Sequence, residues 1–404
     1  MPRKSITVRY NQTEEVNEMP APTHLPAVLP AAIAVADAGA LALRVHTESQ
    51  HAYRTPFTRD SARILHARAF RRLAGKTQVF TRLPSEQVSD HIRSRLTHTL
   101  EVAQISRTVA QALGLNAALA EALALTHDIG HPPFGHAGEK ALDHALKAHG
   151  LSFDHNLHAL RIVTWFEQRY AGFRGLNLTL GVREGIIKHS RDYSSATHPE
   201  LAGYFLDQRP PLEAQLIDLT DEIAYLTADL EDGLDSGILN LSQVRDGVEL
   251  FRRFLSRAQA EYAAAAPRLL ANEALRQMLN ALVTDLLSET SARVARAGAA
   301  TLEQVRHSPM RLAALSPAME EARAEAKHFL YANFYNAPAM QEAHEHAGEV
   351  VAGLFAYFME DPGRLPADHQ FHIATEGPAR IVTDYLAGMT DSYIEQCWAH
   401  SRAG

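Results

Sequence analysis

Between Arg95 and Leu113 the apolar residues Leu96, Leu100, Ala103, Ile105, Val109 and Leu113 recur mostly at steps of three and four, the period of an α-helix with one buried face. Gly114 stands where such a helix would be capped. A second helix is expected from Ala117 to Thr126; it must stop by Ile129-Gly130, because Pro132 and Pro133 cannot donate backbone hydrogen bonds. A third begins after Pro210, with Pro211 near its first turn and Leu212, Leu216, Leu219, Ile223 and Leu226 along one stripe. Period-two runs of β-branched residues are scarce, and the segment from Leu241 to Lys327 is dominated by the helix formers Ala, Leu, Arg and Glu. The last 70 residues read as helices interleaved with Tyr and Phe. These patterns exclude a sheet-based fold and predict an all-α chain around a single core, with one short hairpin near Phe173 to Leu180.

Of the 404 residues 46% are apolar and 21% charged, with a net charge of −8, which describes a folded soluble chain and argues against a coat for nucleic acid. The Ala-rich stretch from Leu25 to Leu43 is interrupted by Pro26, Pro30 and Asp37, so it is expected to form an ordinary helix after a disordered leader (residues 1–25), with no membrane span. A single cysteine, Cys397, excludes internal disulfides and multi-thiolate metal sites and fits a reducing cytoplasm.

Eleven of the 22 histidines lie between His91 and His198. His98 sits in the first helix, and His127-Asp128 closes the second. On the third helix Asp218, Asp221, Glu222 and Tyr225 share one face at i, i+3, i+4 and i+7. Imidazoles and carboxylates drawn from three helices suit a nitrogen and oxygen site for a divalent metal: manganese, magnesium, iron, cobalt or zinc. The run from His127 through His131 and His136 to Glu139 packs three histidines and two acids among glycines and prolines, a composition that a purely structural helix tolerates poorly.

The blocks RLTHTLEV (Arg95 to Val102), THDIGHPPFGHAGEKAL (Thr126 to Leu142) and LEAQLIDLTDEIAYLTADLEDGL (Leu212 to Leu234) resemble the deoxynucleoside triphosphate triphosphohydrolase (dGTPase-like) branch of the HD superfamily. RTPFTRDSARILHARAFRRLAGKTQVF (Arg54 to Phe80), FDHNLHALRIV (Phe153 to Val163) and GLNLTLGVREGIIKHS (Gly175 to Ser190) resemble further blocks of that branch, in the expected order. The resemblance implies an HD-domain helical core over residues 91–235. An N-terminal helical extension (26–90) and a C-terminal helical region (236–404) would flank it.

It further implies metal ligands at His98, His127, Asp128 and Asp221, and a proton-handling pair at His136 and Glu139. Arg95, His131, His155, Lys188, Tyr225 and Asp229 match substrate contacts, with Arg72, Gln78 and Tyr193 as weaker matches. The implied cofactor is Mn²⁺ or Mg²⁺, with Co²⁺, Fe²⁺ or Zn²⁺ as alternatives. The implied reaction is hydrolysis of a dNTP to a deoxynucleoside and inorganic triphosphate, in a cytoplasmic homo-oligomer, tetramer or hexamer, with an effector dNTP and single-stranded DNA as further partners. Two other readings are an HD phosphohydrolase acting on other nucleotides and a non-catalytic nucleotide or single-stranded DNA sensor. The chain departs from the family at Lys188-His189, where Lys-Tyr is usual; Tyr193 is the nearest following tyrosine.

Overall fold

The structure, a computed structural model, describes residues 27–79 and 93–403; the expected leader lies outside them. Among the described residues there is no strand. The helices that build the site are α1 (Pro56–Leu65), α2 (Arg68–Arg72), α3 (Arg95–Leu113), α4 (Ala117–Thr126), α5 (Gly135–Lys147), α6 (His155–Arg161), α7 (Leu180–Ile187) and α8 (Leu212–Asp235).

Local chemistry sets their ends. The Ser94 hydroxyl accepts from the Thr97 N–H and the Thr97 hydroxyl accepts from the Ser94 N–H, so two orphan donors at the start of α3 are satisfied reciprocally. Gly114 ends the helix at φ 76°, a left-handed conformation that costs glycine little. The Asn116 side chain caps α4 by accepting from the Leu119 N–H. The buried stripes of α3, α4 and α8 then pack on one another, with Val102, Val109, Leu119, Ile223 and Leu226 all fully buried.

A second apolar cluster joins Leu142 and Leu146 of α5 to Val350, Leu354, Ile381, Leu386 and Ile394 from the C-terminal helices Pro338–Glu360, Pro378–Ala387 and Asp391–Ala403. The C-terminal region therefore leans directly on the helix that follows the His-Pro-Pro turn. No helix among the described residues is long and apolar enough to cross a membrane.

Two expectations are corrected. The Ala-rich segment is not a helix: only Ala31–Ile33 and Ala40–Ala42 make 3₁₀ turns, separated by Gly39 at φ 121°. Its polar backbone groups go elsewhere. Leu29 N–H donates to Leu113 C=O, Val35 N–H to the Glu213 carboxylate, and Asn116 Nδ2 to Val35 C=O, while Ile33, Val35 and Leu41 enter the core as a strap. Nor is there a hairpin from Phe173 to Leu180. Isolated bridges pair Tyr170 with Phe173 and Gln168 with Gly175, and the next residues form no strand, Asn177 being left-handed at φ 49°. Buried Arg63 takes the Leu176 and Asn177 carbonyls, and the Asp60 carboxylate takes the Thr179 N–H, the groups a hairpin would have paired.

Gly130 shows how tightly the turn after α4 is seated. A Cβ there would lie 1.9 Å from the His155 carbonyl oxygen and 2.6 Å from the Ala159 nitrogen, both backbone atoms of α6. Gly130→Ala is expected to destabilise the fold by about 3 kcal/mol or more through overpacking. Chemical denaturation checks this, and an unchanged midpoint would contradict it.

Candidate metal centre

α3 and the end of α4 bring three of the nominated ligands together. One nitrogen or oxygen from each of His98, His127 and Asp128 lies within 4.8 Å of the others, and all three residues are buried. Asp221 arrives from α8, its Oδ1 2.8 Å from His98 Nε2 and 3.6 Å from His127 Nε2. His127 Nδ1–H donates to the Ala124 carbonyl at 2.6 Å, which leaves Nε2 as the atom facing the carboxylates. His127 Nε2 and Asp128 Oδ2 are buried without a hydrogen-bond partner. Such atoms are costly unless something binds them. Orphaned nitrogen and oxygen donors converging with a second carboxylate fit a divalent cation, so the cluster could hold one.

The charges around it are strongly coupled. Burial alone would lower the His127 pKa, but Asp128 and Asp221 outweigh it and hold the ring up at about 9. Burial would raise Asp128; Arg95, whose Nη1 lies 2.9 Å from Asp128 Oδ1, and the adjacent imidazoles keep it well below the usual carboxylate range instead. Asp221 is likewise lowered, chiefly by His127 and His98 acting against burial. His131 is driven well down by burial and by Arg95 and His155, so its ring is neutral near pH 7.

Because a cation takes the neutral imidazole, uptake must release the His127 proton, and the apparent Mn²⁺ association constant is expected to rise about tenfold per pH unit between about pH 6.5 and 9. Titration calorimetry in buffers of different ionisation enthalpy counts the proton; a pH-independent affinity would refute the assignment. The raised value also means that the charged ring stabilises the metal-free fold fully below about 6.5, and that this contribution is lost as the pH rises through about 9.

A second group borders the first. His136 and Glu139 stand one turn apart at the start of α5, with His136 Nδ1 3.3 Å from Glu139 Oε2. Glu139 Oε1 lies 2.8 Å from His155 Nδ1 and accepts the His155 backbone N–H at 3.2 Å. Burial would raise Glu139, but the hydrogen bonds from the two histidines outweigh it and hold the carboxylate ionised. The His131 ring links the groups: it stacks on His155 at 4.1 Å between centroids and reaches Asp128 Oδ1 at 2.9 Å.

The remaining nominations divide. Further along α8, Tyr225 donates to Glu222, and burial lifts Asp229 to about 7 while the Tyr335 hydroxyl donates to it. Lys188 does not join the cluster: its ammonium donates to Glu184 four residues back and to the Phe205 and Gln208 carbonyls. Tyr193 donates to Asp154, the residue capping α6. Gln78 has a buried, unpartnered Oε1, and Arg72 lines a separate cavity of about 610 Å³ with His158 and Asp384.

His189, not nominated as a site residue from the sequence, adjoins the cluster. The His189 ring sits 5.5 Å from that of His127, and its Nδ1 is 2.7 Å from Asp218, which Arg311 also pairs. The acidic stripe contained Asp218, but its cation comes from 93 residues away, a distance no local spacing reveals.

Known proteins resemble this chain along most of its length. The model of the HD domain matches residues 95–226 and that of the phosphohydrolase-associated domain residues 313–400. Deoxyguanosinetriphosphate triphosphohydrolase-like proteins are similar along most of the chain. The one from Thiobacillus denitrificans is 45% identical over 351 residues, 87% of this chain and 91% of its own length. Those from Ralstonia nicotianae and Geobacter sulfurreducens are 44% and 40% identical, each covering 87% of this chain and 89% of the relative.

Proposed function

Since the chain belongs to the deoxyguanosinetriphosphate triphosphohydrolase-like family of HD-domain phosphohydrolases, we propose that it hydrolyses a deoxynucleoside triphosphate to the deoxynucleoside and inorganic triphosphate. The observation that carries this reading is the adjacency of two sets of side chains: a cluster of orphaned ligand atoms, and a His-Glu-His group built to move a proton. His98, His127, Asp128 and Asp221 would hold the cation, Mn²⁺ or Mg²⁺, which when bound supplies a Lewis acid to polarise a phosphate oxygen.

The chain's own residues account for the rest. Glu139, anchored by His155, accepts from His136 Nδ1 and so leaves Nε2 free to exchange a proton with water or the leaving 5′ oxygen. Arg95, buried beside Asp128, brings a fixed positive charge to the place where a polyphosphate would lie. Asp229, kept partly protonated by burial, can hydrogen-bond a sugar hydroxyl, with Tyr225 one turn away on the same face of α8 to fill the space of a 2′ hydroxyl. Incubating the protein with each dNTP and Mn²⁺ or Mg²⁺, and separating the products by ion exchange, tests the reaction. Triphosphate is the expected inorganic product, and pyrophosphate or orthophosphate as the first product would overturn the reading.

A further inference from the structure

The loop between α4 and α5 is held from outside by two side chains that the proposed reaction does not use. Asp391, at the start of the helix Asp391–Ala403, accepts the Phe134 N–H at 3.0 Å on Oδ1 and the Thr77 N–H at 2.8 Å on Oδ2. The ammonium of Lys76, 4% exposed, donates to the His131 carbonyl at 2.5 Å and to the Ala387 carbonyl at 2.8 Å. The same Lys76 accepts the Arg95 N–H on its own carbonyl at 3.1 Å, and Thr77 bridges Ser94, so the junction continues into the first turn of α3. Its packing is close: a Cβ on Gly75 would lie 2.9 Å from Thr390 Cγ2.

The stretch from His131 to Phe134 needs such support. Pro132 and Pro133 have no N–H with which to anchor themselves. Phe134 is left-handed at φ 61°, a conformation that an L side chain keeps only when its surroundings impose it. The bond from Asp391 falls on that residue's own N–H, and the bond from Lys76 falls on the carbonyl at the other end. Immediately beyond those ends lie the rings that matter: His131 spans Asp128 and His155, and His136 faces Glu139.

We propose that Asp391 and Lys76 are positioning residues, through which the C-terminal region sets the backbone from His131 to Phe134 and thereby aims the His136–Glu139–His155 group at the metal cluster. Neither side chain contacts the proposed ligands, so their removal should leave the cluster's own affinity intact. The kinetic part rests on the hydrolase reading above; the exchange part does not.

Full-length Asp391→Ala, Asp391→Asn and Lys76→Met test the proposal. In metal-free Asp391→Ala, hydrogen exchange at the Phe134 amide should speed up by about tenfold or more, with protection along α3 and α8 unchanged. With dNTP and Mn²⁺, kcat should fall by about ten- to a hundredfold while KM and Mn²⁺ affinity stay within about threefold. Asp391→Asn keeps one acceptor oxygen and should recover part of both losses, and Lys76→Met should reproduce the kcat loss. Wild-type kcat in Asp391→Ala, or a kcat loss that asparagine does not relieve and that follows the melting temperature, overturns the proposal. Should the wild type release no triphosphate, the hydrolase reading fails by itself, and exchange alone decides: unchanged protection at Phe134 in Asp391→Ala refutes the positioning role.

Discussion

His136→Ala is expected to lower kcat by about 10²- to 10⁴-fold, the usual worth of a positioned proton carrier, with Mn²⁺ affinity close to wild type. The geometry separates the two effects. The His136 side chain is 73% exposed, so its loss leaves no buried cavity and should barely move the melting temperature. It also makes no contact with His98, His127, Asp128 or Asp221 among the hydrogen bonds of the cluster. Glu139→Gln should act in the same direction, because the carboxylate that both His136 and His155 address becomes an amide that cannot accept from both in the same way. Steady-state kinetics paired with Mn²⁺ titration checks the pair. A His136→Ala enzyme at wild-type kcat removes His136 from the mechanism.

Asp221→Ala should do the reverse, weakening Mn²⁺ binding by about 100-fold or more, with activity lost for that reason. Asp221 Oδ1 is the atom that α8 contributes to both His98 and His127. Its loss also removes one of the two carboxylates that hold the His127 proton, so the pH at which metal affinity levels off should move down from about 9. That second readout distinguishes a ligand from a merely nearby acid. Wild-type Mn²⁺ affinity in Asp221→Ala would dismiss the assignment.

The parts of this architecture legible in the sequence are those written in local code. α3, α4 and α8 follow from apolar period and capping residues, which also place His98, His127-Asp128 and an acidic face of α8 on three helices, while the choice of Asp221 on that face rests on the family resemblance. The strap from residues 27 to 43 was not legible, because alanine favours a helix locally while Glu213 and Asn116, far along the chain, supply the partners that bind the backbone of Val35. Lys188 carried a visible warning: Glu184 lies one helical turn before it, and that pairing engages the ammonium. The links from Asp391 to Phe134 and from Arg311 to Asp218 span 257 and 93 residues and leave no trace in spacing.

The proton on His127 has one more implication. Between Asp128 and Asp221 it supplies part of the positive charge that a divalent cation would bring. Loading would then exchange a single proton for a dication within a finished fold. A chelated sample should remain folded and reload without refolding, unlike small zinc domains, whose unpaired ligands scatter when the ion leaves.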